Sequence, residues 1–247
     1  MNLPFIKNLF QIIIDSLFPI SNTDKLLFSY TPEQALQYLN KSTKTPFPDT
    51  YSIFSYKEKI VTRLIWNIKY KKSPEAIKIG AYALFQKILQ ITNNKQTKEK
   101  ILILPIPITQ RRKNERGYNQ CELLLDELKK LDSKDLLEYK RDFLIRIHHQ
   151  DRQTLKNREE RLKDSKGVFS VNKMATEAII SKIKTDNEKK TLAKGHSNLN
   201  SNVNTTFEKI PVIIIDDVIT TGSTMKEAME TLKSAGFSRV IGISLAH

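Results

Sequence analysis

The chain has 247 residues, of which 39% are hydrophobic and 28% are charged, with 41 Lys and Arg against 27 Asp and Glu. This length predicts one or two domains with a sizeable core, and the composition excludes a fibrous or wholly disordered protein. The formal charge of +14 is compatible with a polyanionic partner and equally with a solvated, lysine-rich surface. The single cysteine, Cys121, excludes an internal disulfide framework and a cysteine-based zinc site.

The first part of the chain is predicted to be mostly helical. Residues 6–18 have the pattern of an amphipathic helix that is too short for a membrane span, which needs roughly 20 apolar residues. Residues 21–56, rich in Pro, Ser and Thr, predict little regular structure. Helical spacing of apolar residues from Lys57 to Gln90 predicts two helices, split near Pro74. With no predicted span and one cysteine, the expected compartment is the cytoplasm.

The second part of the chain is predicted to alternate strands and helices. Short apolar runs predict strands at 101–105, 143–147, 168–171, 212–215 and 240–245, and helical patterns lie at 119–131 and 224–235. Such alternation favours a parallel sheet. The charged stretch 148–166 is predicted to be a mobile loop or exposed helix, and residues 172–209 a largely disordered insertion. We therefore divide the chain into an N-terminal helical region, 1–98, and a second domain, 99–247.

The segment from Val212 to Thr224 carries the strongest chemical signal. An apolar strand ends in Asp216 and Asp217, and a turn of small hydroxyl residues and Gly222 then opens a helix, in which Thr224 and Glu227 could form a capping box. A helix start at a strand end aims backbone N–H groups at one point, which suits a phosphate, and the carboxylates suit sugar hydroxyls. Acids at a strand end and hydroxyl caps are each common alone. Their combination predicts a ribose 5-phosphate site.

Two other phosphate-binding motifs are absent from the sequence. The chain contains neither Gly-x-x-x-x-Gly-Lys-Ser/Thr nor Gly-x-Gly-x-x-Gly, which argues against a nucleoside triphosphatase or a dinucleotide-binding enzyme. The adjacent His148 and His149 point apart and have no carboxylate or cysteine cluster beside them, so they predict no metal site.

The same segment closely resembles the phosphoribosyl pyrophosphate signature of type I phosphoribosyltransferases: four apolar residues, two acids, then Thr-Thr-Gly-Ser-Thr. Other stretches resemble the ComF (competence protein F) family. They are Tyr56, Lys69-Tyr70, Pro105-Ile106-Pro107, Arg111, Arg116-Gly117-Tyr118-Asn119-Gln120, Arg146, Gln153, Leu155, Arg161, Gly167 and Phe169. The resemblance covers about residues 51–171 and 210–247. Two departures are Asp164, where the family usually has Asn, and the lack of the four-cysteine zinc ribbon that commonly begins ComF proteins.

The resemblance implies an α/β, Rossmann-like type I phosphoribosyltransferase fold, with a mainly parallel sheet flanked by helices. It implies that Asp216 and Asp217 are catalytic and bind the ribose hydroxyls of phosphoribosyl pyrophosphate. The residues implied to bind its 5-phosphate are Thr220, Thr221, Gly222, Ser223 and Thr224. The candidates for holding pyrophosphate are Pro105, Ile106, Pro107, Arg116, Arg146 and Arg161. Mg²⁺ is expected to accompany the ligand, and no zinc is expected.

Two functions stay open at this point. The first is an enzyme that binds phosphoribosyl pyrophosphate and transfers its ribosyl group to an acceptor that the sequence does not name. The second is a non-catalytic, nucleic-acid-associated accessory protein, because the ComF resemblance implies a role in DNA uptake and processing. Single-stranded DNA and DNA-processing proteins are the partners expected in the second case, and the basic charge is compatible with it.

Overall fold

The computed structural model describes residues 19–42, 47–92, 100–147, 167–179, 181, 207–208 and 210–247. Their strands are β1 (Thr50–Phe54), β2 (Ile101–Pro105), β3 (Leu137–Tyr139), β4 (Leu144–Arg146), β5 (Phe169–Val171), β6 (Pro211–Val218) and β7 (Arg239–Ala246). Their named helices are α1 (Asn22–Ser29), α2 (Pro32–Tyr38), α3 (Lys59–Trp66), α4 (Pro74–Ile91), α5 (Gln110–Arg116), α6 (Gln120–Leu131) and α7 (Ser223–Ser234). A π-helical turn, Asn67–Lys71, continues α3.

Five strands form a parallel sheet in the order β1-β7-β6-β2-β3. Strand β6 lies at its centre, with Pro105 of β2 opposite Ile215. Because every strand runs in the same direction, the carboxyl ends of β2 and β6 meet at one edge of the sheet. The predicted mainly parallel sheet flanked by helices is confirmed.

Strand β6 is buried on both faces, which explains its continuous apolar run. Side chains alternate across a strand, so Ile213 and Ile215 join the core under α3, α4 and α6, while Val212 and Ile214 join the core under α7. The same alternation sends the next two side chains, Asp216 and Asp217, to opposite faces of the sheet.

The prediction of little regular structure over residues 21–56 was wrong. Helices α1 and α2 begin with capping boxes, in which Ser21 pairs with Asp24 and Thr31 with Gln34, and Pro32 occupies the first turn of α2. Strand β1 forms an edge of the parallel sheet beside β7. The proposed boundary at residue 98 therefore does not separate helices from the sheet, since one sheet strand precedes it.

Three further differences concern the second part of the chain. Strands β4 and β5 pair with each other as an antiparallel hairpin outside the parallel sheet. The predicted insertion is ordered at both ends, because residues 173–179 are helical and Ile179 and Phe207 are buried against the α7 core. The sequence pattern also missed α5 and β3. The predictions for 6–18, 148–166 and most of 182–206 lie outside the described residues.

No helix among the described residues is both long enough and apolar enough to cross a membrane.

Candidate functional site

The site is built at the carboxyl edge of the sheet, where β6 runs into the turn Thr220–Thr224 and then into α7. Gly222 is the N-cap of α7 and has φ 82°, a left-handed conformation that residues with a Cβ adopt at a cost. Thr220, Thr221 and Ser223 are exposed. The predicted position of this turn, at a strand end and a helix start, is confirmed.

Helix α7 begins without a side-chain cap, so the predicted capping box of Thr224 and Glu227 was wrong. The Glu227 carboxylate instead accepts a hydrogen bond from the backbone N–H of Val168, on the β4–β5 hairpin side. This long-range contact, which the local sequence does not show, removes Glu227 from the helix start.

Two backbone donors at the start of α7 have no acceptor among the described residues. The first backbone hydrogen bond of the helix runs from Lys226 N to Gly222 O, at 2.8 Å, and Ser223 N reaches only the Thr221 hydroxyl, at 3.4 Å. Within the described part of the chain nothing accepts from the N–H groups of Thr224 or Met225. With the positive end of the helix dipole, they form a site for an anion.

A small, open pocket joins this turn to one of the two acids. Asp216 lines it, together with the run from Val218 to Met225, whereas Asp217 does not. The pocket therefore places one carboxylate beside the open helix start, as a sugar phosphate requires. The structure divides the two acids that the sequence had treated as a pair.

Asp216 is 8% exposed, and its Oδ1 accepts from the backbone N–H of Asp217 at 2.8 Å. Burial raises the pKa of Asp216 well above its ordinary value, and the charge of Asp217 adds to that effect, while Lys69 opposes it. The thiol of Cys121 lies 3.9 Å from Asp216 Oδ1. Burial raises the pKa of Cys121 as well, so the thiol next to Asp216 stays neutral.

Asp217 faces the other side of β6, where the ammonium of Lys69 lies 3.0 Å from its Oδ2. Its Oδ1 accepts from the backbone N–H of Val218 at 2.7 Å. Asp217 Oδ2 is buried and accepts no hydrogen bond of good geometry within the described residues, so the Lys69 charge compensates it. The Asp217 side chain is thus paired with Lys69 of the same chain.

The predicted pyrophosphate turn lies beside the acids. Ile106 N donates to Ile215 O at 2.9 Å, which continues the β2–β6 pairing into the turn. Asn119 then fixes the turn, because its Nδ2 donates to Ile106 O at 2.9 Å while its Oδ1 caps α6 by accepting from Cys121 N. The structure thus brings Pro105, Ile106 and Pro107 to the edge of the sheet that carries Asp216.

The three candidate arginines differ in what they contact. Arg146 donates to Pro107 O at 3.2 Å and lies over the ring of Phe169, so it sits against the predicted pyrophosphate turn. Burial lowers its pKa, and the charge of Arg112 acts in the same direction. Arg116 is engaged by Gln120 and by the ring of Tyr70. Arg161 lies outside the described residues.

The acid groups of the site do not form a dedicated metal cage. No cluster of three or more His, Cys, Asp or Glu side chains that could hold a metal occurs among the described residues. Mg²⁺ commonly keeps several waters and binds through substrate phosphates with one or two carboxylates. A single buried carboxylate in the pocket, Asp216, is compatible with this mode of binding.

Residues 156–246 match the family described as the phosphoribosyl transferase domain. Over these residues the chain is similar to that family, and its parallel sheet flanked by helices is consistent with the type I phosphoribosyltransferase fold. The matched segment includes β5, β6, the turn, α7 and β7, and begins after β4. No curated protein matches the chain.

Sequence reasoning missed the roles of Lys69, Tyr118 and Asn119. Tyr118 donates its hydroxyl to the carbonyls of Ile68 and Lys69, at 3.3 and 3.0 Å, and so holds the π-helical turn that carries Lys69. The contacts of Tyr118 with the π-helical turn span about 50 positions and that of Lys69 with Asp217 spans 148, while Asn119 reaches Ile106 across 13 positions, and a local pattern specifies none of these contacts. The only available signal was their occurrence in motifs that resemble a family.

Proposed function

We propose that the protein binds phosphoribosyl pyrophosphate, with the 5-phosphate on the turn Thr220–Thr224 and the ribose hydroxyls at Asp216. The observation that carries this proposal is the pocket in which an uncapped helix start and a buried carboxylate face the same space. The amides and hydroxyls donate to the phosphate, and the carboxylate accepts from the sugar. Asp217 contributes its backbone N–H, which donates to Asp216 Oδ1, while its side chain is paired with Lys69.

The pyrophosphate group lies, on this proposal, against the turn Pro105–Pro107, close to Arg146. The Arg146 guanidinium is already positioned there by Pro107 O, and it retains further donors for a diphosphate oxygen. Magnesium bound to the ligand would neutralise part of the pyrophosphate charge. In ribosyl transfer, the sugar carbon loses pyrophosphate and becomes cationic, and an ionised Asp216 stabilises that cation electrostatically.

We further place the chain with the ComF family, on the motifs Pro105–Pro107, Arg116–Gln120 and Lys69-Tyr70. These motifs contact one another in the structure. Tyr118 binds the π-helical turn after α3, and Asn119 joins the turn after β2 to the start of α6. A role in DNA uptake follows from this family placement. The acceptor of the ribosyl group is unidentified.

Calorimetric titration tests the proposed ligand. Phosphoribosyl pyrophosphate with Mg²⁺ is titrated into the full chain and into its Asp216→Asn and Asp126→Asn variants. Asp126 is an exposed acid on α6 that pairs with Arg141, so it controls for loss of one negative charge. We expect Asp216→Asn to weaken binding at least about tenfold, which is about 1.4 kcal/mol, and Asp126→Asn to leave it unchanged.

The titration and a subsequent acceptor screen have three outcomes that decide between the functions. Absence of binding to the wild-type chain would contradict the proposal. Binding, followed by release of pyrophosphate in a screen of nucleobase and amine acceptors, would establish an enzyme. Binding with no release for any acceptor would favour the accessory role, in which the ligand regulates rather than reacts.

A further inference from the structure

The two neighbouring acids of β6 have different surroundings, and one lysine accounts for the difference. Asp216 faces the pocket, whereas Asp217 faces the π-helical turn after α3, where Lys69 Nζ lies 3.0 Å from its Oδ2. The Lys69 side chain is 20% exposed and the Asp217 side chain 5% exposed. Because the Asp217 carboxylate has little contact with water, its attraction to the Lys69 ammonium is weakly screened.

Lys69 is held in place from both sides of its turn. On one side Tyr118 donates to the carbonyls of Ile68 and Lys69. On the other side Asn67 donates to Asp24 Oδ1 at 2.7 Å, and Asp24 also accepts from the guanidinium of Arg63. Helix α1 and the loop before α6 therefore both hold the turn that presents the ammonium to the sheet edge.

We propose that Lys69 is a positioning residue of the ligand site: the alternation of side chains along β6 directs Asp217 away from the pocket, and Lys69 fixes that carboxylate and balances its charge beside Asp216. This inference rests on the proposed function for the identity of the ligand. Lys69 itself does not line the pocket. It acts through the acids and is not a catalytic residue.

The ionisation of Asp216 depends on the charged and titratable groups around it. Asp217 lies on the same strand, Lys69 on the π-helical turn, Cys121 on α6 and Arg146 on β4. The Asp217 charge opposes ionisation of Asp216, and the Lys69 charge favours it. Loss of the ammonium would leave the Asp217 charge unbalanced, and this charge would then disfavour ionisation of Asp216 more strongly.

The test follows the side-chain carboxyl carbons of Asp216 and Asp217 by NMR across pH, first in the ligand-free chain. The variants are Lys69→Met, Lys69→Arg and Asp217→Asn, and Lys130→Met is the control because Lys130 forms an exposed ion pair with Glu127. We expect Lys69→Met to raise the higher of the two carboxyl midpoints by about one pH unit. Asp217→Asn should lower the Asp216 midpoint, and Lys69→Arg and Lys130→Met should change little.

The same variants are then titrated with ribose 5-phosphate. Lys69→Met should weaken binding at least about fivefold at pH 7, because Asp216 is then less often ionised, and Lys69→Arg should restore it to within about twofold. The variant Lys69→Met/Asp217→Asn, which contains no unpaired buried charge, shows whether the loss comes from misfolding. In this double variant the pH midpoint of the Asp216 carboxyl group should be lower than in Lys69→Met.

The outcomes separate the inference from the proposed function. Carboxyl midpoints that do not move in Lys69→Met and Asp217→Asn would overturn the role of Lys69, whether or not any ligand binds. Midpoints that move as expected, in a chain that binds neither ribose 5-phosphate nor phosphoribosyl pyrophosphate, would support the role of Lys69 and contradict the proposed function.

Discussion

The first turns of helices α6 and α7 both lie beside the carboxyl edge of the sheet, yet they differ. Helix α6 begins at Asn119, whose side chain accepts from Cys121 N and donates to Ile106 O. Helix α7 begins at Gly222, which has no side chain, and the amides of Thr224 and Met225 are open in the described structure. One helix start is closed by the chain itself, and the other is available to a ligand.

The start of α6 stabilises the fold, whereas the start of α7 is free to bind a ligand. A side-chain cap typically stabilises the folded protein by about 1 kcal/mol, and α7 lacks this contribution. An anion on the same amides would supply the missing acceptor. The open start also shares its pocket with a buried carboxylate, Asp216, which the closed start of α6 does not.

The largest expected effect comes from changing the open start at Gly222. Gly222→Ala places a Cβ at φ 82°, which costs about 1–2 kcal/mol unless the turn rearranges. Rearrangement would disperse the converging amides, so we expect phosphoribosyl pyrophosphate affinity to fall at least about tenfold by calorimetry.

The matched control is Gly117→Ala, because Gly117 has φ 78° at the end of α5 but lies outside the pocket. It should lose similar stability in thermal unfolding with a much smaller change in affinity. Equal losses of affinity in the two variants would show that the turn at Gly222 has no special part in binding.

A substitution at the closed start of α6 should have the opposite effect, in that it should reduce stability more than ligand affinity. Asn119→Ala removes the α6 cap and the hydrogen bond to Ile106 O, so we expect about 2 kcal/mol less stability in urea unfolding. Asn119→Asp keeps the capping oxygen but cannot donate to Ile106, and should cost about half as much. A large loss of affinity with unchanged stability would contradict the structural role.

The pH dependence of stability tests the burial of Asp216. Its pKa is raised in the folded chain, so from about pH 4 upward the folded state keeps a proton that the unfolded state releases. This contribution to stability is present at low pH and is lost as pH rises toward the folded pKa. Asp216→Asn has no such proton, so the free energy of unfolding should fall less steeply between pH 4 and 7 than in wild type, by at least about 1 kcal/mol.

The smallest effect is expected at Thr224, where the sequence suggested a cap that the structure lacks. Thr224→Ala should change the free energy of unfolding by no more than about 0.5 kcal/mol. Ser73→Ala is the comparison, because the Ser73 hydroxyl accepts from Ala76 N at the start of α4, and it should cost about 1 kcal/mol. A larger cost at Thr224 than at Ser73 would mean that α7 is capped after all.

Local sequence predicted the elements whose patterns are strong and short-range. The apolar runs of β2 and β6, the helix α6 and the split at Pro74 were all evident, since each depends on neighbouring residues. Strand β1 was missed because a five-residue strand among prolines is stabilised by β7, almost 200 positions away. The β4–β5 hairpin was misplaced for the same reason: strand patterns do not specify which sheet a strand joins.

The sequence located the segment that forms the site, but it did not predict which groups the side chains of that segment contact. The turn and both acids are contiguous, so the sequence located them. The pairing of Asp217 depends on Lys69, which lies 148 positions earlier in the chain. Glu227 is bound to Val168 rather than to its own helix for a comparable reason. Long-range polar contacts, rather than local propensity, decided these details.

The most direct measurement follows backbone amide resonances of the isotopically labelled full chain as ribose 5-phosphate is added. The account predicts that the amides of Thr224 and Met225 shift strongly and saturably, while those of Cys121 and Glu122 at the start of α6 change little. Equal small shifts at both helix starts, or shifts confined to lysine-rich surface far from Gly222, would contradict the claim that this turn binds a sugar phosphate.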